Sequence, residues 1–168
     1  MKADHLSKTG MSKSDLILRL IQQMEDESKV ILSAVANAVD GATNPESKPE
    51  GKYDTRALEA SYLAGAQKER LRELNGSIDF LRAQKITPHS DTDLITPPAL
   101  VSLRSERGDE RVILLVTTGG GFTLEGQQPK ITTVTPESPV GSAITGRKTG
   151  DFILWGTSGL EWEITGIS

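Results

Sequence analysis

From Lys13 onward the chain carries an apolar seam at Ile17, Ile21, Met24, Ile31, Val35 and Ala38, interrupted only by Ser28, in alternating steps of four and three. That spacing keeps one stripe of a helix facing a partner helix, the pattern of a coiled coil. A second run, from about Thr55 to Gln84, repeats it through Ala57, Ala60, Ala64, Gln67, Leu71, Leu74, Ile78 and Leu81. Between the two lies DGATNPESKPEGKYDTR, in which Gly41, Pro45, Pro49 and Gly51 forbid a continuous helix. The pair predicts an antiparallel helical hairpin over residues 13–86 with its tip near 41–54. Along the second arm the seam is small near the tip (Ala57, Ala60, Ala64) and large near the base (Leu71, Leu74, Ile78, Leu81). The hairpin should therefore taper, and its arms should project on the order of 40 Å at about 1.5 Å per residue. Residues 1–12 are polar and patternless and are read as a flexible leader outside the fold.

After Ile86 the texture changes. TPHSDTDLITPP has the composition of a loop, and short β-rich runs bounded by turns follow at about 99–105, 110–117, 121–124, 130–135, 151–156 and 160–167. The one helical stretch among them, SPVGSAIT, predicts Ser138 as cap, Pro139 in the first turn, Ala143 and Ile144 packed inward and Gly146 as terminator. The fold class expected is α+β: a helical hairpin, then over 92–168 a small antiparallel β-rich domain whose single short helix covers one face.

Several classes of function are excluded by composition. The chain has no Cys, so it holds no disulfide framework and no thiolate metal site. Its two histidines, His5 and His89, lack the spacing of metal ligands. A net charge of −4 argues against independent binding of bare nucleic acid, which needs clustered cations. Asp15, Arg19 and Gln22 interrupt LILRLI, so the N-terminal segment fails as a signal peptide, and no run reaches membrane-span length; a cytoplasmic protein is expected. TTGGG at 117–121 lacks the Lys-Ser/Thr ending of a phosphate loop and reads as a hairpin turn. Trp155 and Trp162 read as core or face-packing residues.

The order Ser-Pro-apolar, Ala-apolar, Gly-basic and Gly-Asp in SPVGSAITGRKTGD (138–151), followed by DFILW and GLEWEITGI, resembles the bacterial Gre transcript-cleavage factors, transcription elongation factors whose C-terminal domain is FKBP-like. The resemblance covers about residues 92–168 closely and the hairpin by architecture. It implies an accessory factor with no active site of its own. Such a factor binds RNA polymerase through the globular domain and pushes the hairpin down the secondary channel. Tip acids there help the polymerase cleave backtracked RNA near its 3′ end. The resemblance also implies a docking contact at Ser138, Pro139 and Val140, although the same turn serves equally as a helix cap. The few aromatic residues, two Trp, two Tyr and three Phe, argue against the prolyl isomerase pocket that the domain type suggests.

Acids around the tip are Asp40, Glu46, Glu50, Asp54 and Glu59. Mg²⁺ prefers hard oxygen ligands and is commonly held by one or two carboxylates together with substrate phosphates, so a carboxylate on a thin probe could complete a metal site shared with the polymerase. Glu50 and Asp54, flanking Gly51-Lys52-Tyr53, are the candidates; Asp54 is also placed to cap the second helix. The tip departs from the Gre pattern in carrying Lys52 and Arg56 beside these acids, where they compete with Mg²⁺ for the carboxylates. Two readings of the chain as a monomer thus stand: a cleavage-stimulating factor, and a channel-occupying regulator that does not cleave. A third is a coiled-coil dimer serving some other partner. Lys68, Arg70, Arg72, Arg82 and Lys85 alternate with Glu69 and Glu73 and read as a solvated helix surface.

Overall fold

The computed structural model describes residues 11–43, 55–124, 126, 129–156 and 159–168. Two long helices, α1 (Lys13–Thr43) and α2 (Thr55–Ala83), precede strands β1 (Ala99–Ser105), β2 (Glu110–Leu115), β3 (Thr123–Leu124) and β4 (Ile131–Val134). The short helix α3 (Pro139–Ile144) and strands β5 (Phe152–Trp155) and β6 (Leu160–Ile167) complete an α+β fold. Most of the expected leader, residues 1–10, lies outside the described residues. Met11 and Ser12 belong to the fold. Met11 packs against the core. The Ser12 hydroxyl accepts from the Asp15 N–H (3.1 Å), and the Asp15 carboxylate accepts in return from the Ser12 N–H (3.1 Å). This reciprocal pair is a capping box that fixes where α1 starts.

The seam buries as its spacing predicts: Ile17, Ile21 and Met24 pack with Leu74, Ile78 and Leu81. Leu16 and Leu20, off the seam, are also fully buried. They widen the apolar stripe of α1 so that it meets both α2 and the sheet, where Leu100, Leu114, Val116, Leu124 and Ile131 complete the cluster. Complete burial of each such leucine contributes about 2 kcal/mol. Past Ser28 only the seam positions Ile31, Val35, Ala64 and Gln67 are half-buried, and their described neighbours are exposed. Beyond Ser28, α1 runs on through residues 29–43, about 22 Å, while the part before it is built into the head.

The sheet has the order β3-β4-β2-β1-β6-β5. Four of its pairings are antiparallel, but β2 and β4 run parallel, from Val112 opposite Ile131 to Leu115 opposite Val134, so the sheet is mixed where a purely antiparallel one was expected. The cause lies in TTGGG, which does not close a β2–β3 hairpin. It swings the chain out over the helical base, leaving a slot into which β4 inserts between β2 and β3. Gly119 makes this approach possible: its φ is +81°, and a Cβ there would lie 3.2 Å from Met24 Sδ and 3.4 Å from Leu20 Cδ2. The fully buried Thr133 hydroxyl secures the turn, donating to Gly119 O (2.7 Å) and accepting from the Phe122 N–H (3.0 Å).

Both faces of the central strands are covered. Leu100, Leu114 and Val116 meet the helical base; Val101, Leu103, Ile113 and Leu115 meet α3 through Val140 and Ile144, with Ile153, Trp162 and Ile164 beside them. This explains the unbroken apolar runs in β1 and β2, since a strand covered on both sides needs no polar alternation.

Ser28 Oγ is buried and has no hydrogen-bond partner among the described residues. Replacing Ser28 with Ala should raise stability by about 1 kcal/mol, because an unsatisfied hydroxyl is removed and helix propensity improves. Leu20→Ala should lower it by about 3 kcal/mol. Urea unfolding midpoints would show both, and a destabilised Ser28→Ala would reveal a bond to the hydroxyl in solution.

Candidate functional site

The turn at 138–140 is built from its own sequence. Ser138 has extended backbone (φ −71°, ψ 153°); its hydroxyl donates to Thr135 O (2.7 Å) and accepts from the Gly141 N–H (3.1 Å). Pro139 follows in the first helical turn, where a missing N–H costs nothing. Gly141 is required by space: a Cβ would sit 1.9 Å from Thr135 O. At the other end Thr145 donates twice to Gly141 O (2.9 and 2.7 Å), and Gly146, at φ +75°, hands the chain to the 95–96 segment through its bond to Ile95 O (2.9 Å). Asp151 closes the stretch by accepting from the Lys148 N–H (3.0 Å). The cap, first turn, inward-facing Ile144 and glycine terminator stand as the sequence predicts, with Ala143 partly buried against the core.

The geometry divides the three candidate docking residues. Pro139 is exposed, and Ser138 is half-buried with its oxygen engaged in the cap. Val140 is only 7% exposed and packs into the core, so it supports the turn from beneath and offers little surface. Ser142, exposed and one turn on, lies next to Pro139, to whose carbonyl it donates (3.1 Å). It carries no motif that spacing alone would single out.

The tip candidates Glu50 and Asp54 lie outside the described residues. Among the described residues no group of three or more His, Cys, Asp or Glu could hold a metal ion, and no helix is long and apolar enough to cross a membrane. The cations of α2 behave as a solvated surface: Arg70 pairs with Glu27 across the hairpin (3.0 Å), Arg72 with Glu69, and Arg82 with Glu25. Such exposed pairs contribute little to stability, though the cross-helix pairs help set the alignment of the two arms.

A feature absent from the sequence pattern locks the foot of the hairpin. Lys13, at the start of α1, is nearly buried; its ammonium donates to Thr87 O (2.6 Å) and to His89 Nδ1 (3.1 Å). An ammonium donor requires an unprotonated Nδ1, so the ring proton sits on Nε2, facing Thr96 Oγ1 (3.3 Å). Burial pushes the Lys13 ammonium down to about 8. Burial, and then the neighbouring Lys13 charge, hold the His89 imidazole below its usual value.

The fold and its surfaces define an α+β protein in which a helical hairpin is rooted in a mixed sheet. No protein-family model and no curated protein matches the sequence. Among solved structures it is similar to Gfh1 of Thermus aquaticus, with 17% identity over 87% of this chain and 92% of that one, TM-score 0.39. It is likewise similar to GreA factor homolog 1 of Thermus thermophilus, with 21% identity, 90% and 94% covered, TM-score 0.39. The elongation factor GreA/GreB of Nitrosomonas europaea shares 24% identity over 56% of this chain and 78% of its own, TM-score 0.38.

Three outcomes follow from the contacts of Gly141, His89 and Lys13. Gly141→Ala should prevent α3 from seating and lower the thermal midpoint by several degrees, on the scale of about 2 kcal/mol or more for a forced backbone shift. Because folded His89 holds its proton less tightly than the unfolded chain does, stability should decline as pH falls from about 6.5 into the lowered range of the folded ring. Thermal melts should show this decline, and His89→Gln should flatten it. Lys13 acts in the same sense at higher pH, with stability rising as its folded form deprotonates from about 8 upward.

Proposed function

We propose that this chain is a Gre-like transcription factor that docks on RNA polymerase through the surface around Ser138 and Pro139 and reaches into the secondary channel with its hairpin. In this reading it stimulates cleavage of backtracked RNA. The observation that carries it is the rooting of the hairpin: Leu16, Leu20, Met24, Leu74, Ile78 and Leu81 are buried in the head, while the remaining arms project as a narrow rod. A rod fixed in direction transmits the position of the docked head to its tip. The sequence order from Ser138 to Asp151, resembling the Gre factors, supports the docking half.

At the tip, Glu50 and Asp54 would supply carboxylate oxygens beside the RNA 3′ end. A Mg²⁺ ion shared with the polymerase supplies, when bound, activation of water and stabilisation of the leaving oxygen. This chain contributes delivery and negative charge, so it is an accessory factor acting through the polymerase's own centre. Lys52 and Arg56 favour a second reading, occupancy of the channel without cleavage, because they offset the charge of the neighbouring acids. The coiled-coil dimer fits less well, since the base of the seam is consumed within one chain by α2 and the sheet; the proposal is of a monomer.

Stalled, backtracked polymerase provides the test. The intact chain should shorten the RNA, and Asp54→Ala and Glu50→Ala should reduce that shortening at unchanged polymerase affinity. Removing one heptad from each arm, residues 29–35 and 64–70, keeps the seam in register and retracts the tip by about 10 Å, which should abolish cleavage while binding persists. Pro139→Arg should weaken binding about tenfold, the effect of losing one well-placed interface residue. Inhibition without shortening selects the non-cleaving reading; no binding at all overturns both.

A further inference from the structure

On the α3 side of the sheet lies a cavity of about 300 Å³ that neither the docking turn nor the hairpin uses. Thr123 and Thr132 form part of its floor, Val134 and Trp155 supply apolar wall, and Arg111 and Lys130 bring two cations to it. The register explains the convergence. Ile113 lies opposite Thr132 and Leu115 opposite Val134, while Thr132 lies opposite Thr123, so all these side chains share one face across β2, β4 and β3. Arg111 lies over both indoles, 5.5 Å from the Trp155 ring centre and 5.9 Å from that of Trp162, and the two rings are 5.3 Å apart.

We propose that this cavity is a binding site for an acidic, extended segment of a partner protein, with a carboxylate side chain held between Arg111 and Lys130. The charge argues for it: in a chain of net charge −4, neither cation has a carboxylate partner among the described residues. A guanidinium held by cation–π attraction to an indole keeps N–H groups for a bidentate acceptor, and the contact limits its freedom before binding. The cavity volume sits at the lower end of ligand pockets, suited to one or two side chains. The wall formed by Trp155 and Val134 takes an apolar neighbour. Among the described residues β3, last in the strand order, has a single paired neighbour and so leaves an edge along which an extended backbone can lie. Nucleic acid fits less well, because two cations on an acidic chain give little counterion release. The site is independent of the hairpin's role and stands whether or not the polymerase is the partner.

Both tryptophans of the chain are in this cluster, so intrinsic fluorescence reports on it directly. Titrating the full chain with the blocked peptide Leu-Glu-Leu-Glu-Leu should change the emission saturably. The counterpart with Gln in place of Glu should bind about tenfold more weakly, and Arg111→Gln and Lys130→Gln should each weaken the acidic peptide about tenfold, the scale of one charge-assisted hydrogen bond. Lys130 is exposed, so Lys130→Gln should leave the thermal midpoint unchanged and separates lost binding from lost folding. Added salt should weaken the acidic peptide and spare its neutral counterpart. Equal binding of the two peptides, absence of any saturable response to the acidic one, or tighter binding of an oligouridylate would each overturn the proposal.

Discussion

The structure depends on one packing contact: the double apolar stripe of α1, Leu16 and Leu20 beside Ile17, Ile21 and Met24, wedged between α2 and the sheet. A stripe of coiled-coil width can bury itself against only one neighbour. The added leucines let the helix meet two at once, and that converts a freestanding hairpin into a lever with a fixed root. The sheet answers in kind. Leu100, Leu114 and Val116 face the helices, and without them β1 and β2 would expose an apolar face to water. The base of the rod and the helical face of the sheet bury each other in one shared cluster, while the α3 face has a cluster of its own.

The contact has strict steric conditions. Gly119 lies against Met24 and Leu20 at a distance that leaves no comfortable room for a side chain. The Thr133 hydroxyl then ties this turn to β4, and the insertion of β4 beside β2 follows from where the turn sends the chain. At the foot of the rod, the buried Lys13 ammonium finds a carbonyl and an imidazole nitrogen, a polar latch that makes the root sensitive to protonation. Buried polar groups of this kind are tolerated only when bonded, and Lys13 is.

The two faces of the sheet serve different ends. The helical face is spent on anchoring. The opposite face is closed at one end by α3, whose capped N-terminus displays Pro139, and remains concave at the other, where Arg111 rests on Trp155 and Trp162. The α3 turn and the cavity therefore lie at different ends of the face opposite the helical root.

Local chemistry made much of this legible from the sequence. The steps of four and three fix which side of each helix faces its partner, and Ser138, Pro139 and Gly146 specify the α3 turn because cap, ring and left-handed glycine act over a few residues; the need for Gly141 appears only against Thr135 O in the fold. Six strands could be placed from short apolar runs, but their partners could not, since pairing between β2 and β4 is decided by where a distant turn docks. For the same reason the seam did not reveal the burial of Leu16 and Leu20, the resemblance did not reveal that Val140 lies beneath the docking turn, and the packing role read for Trp155 did not reveal the cation above it. The sequence by itself determined the two helical arms and the capped turn, whose causes are short-range; only the tertiary structure decided the mixed sheet, the buried root of the rod and the cation over two indoles, because each needs residues far apart in the chain to compete for one volume.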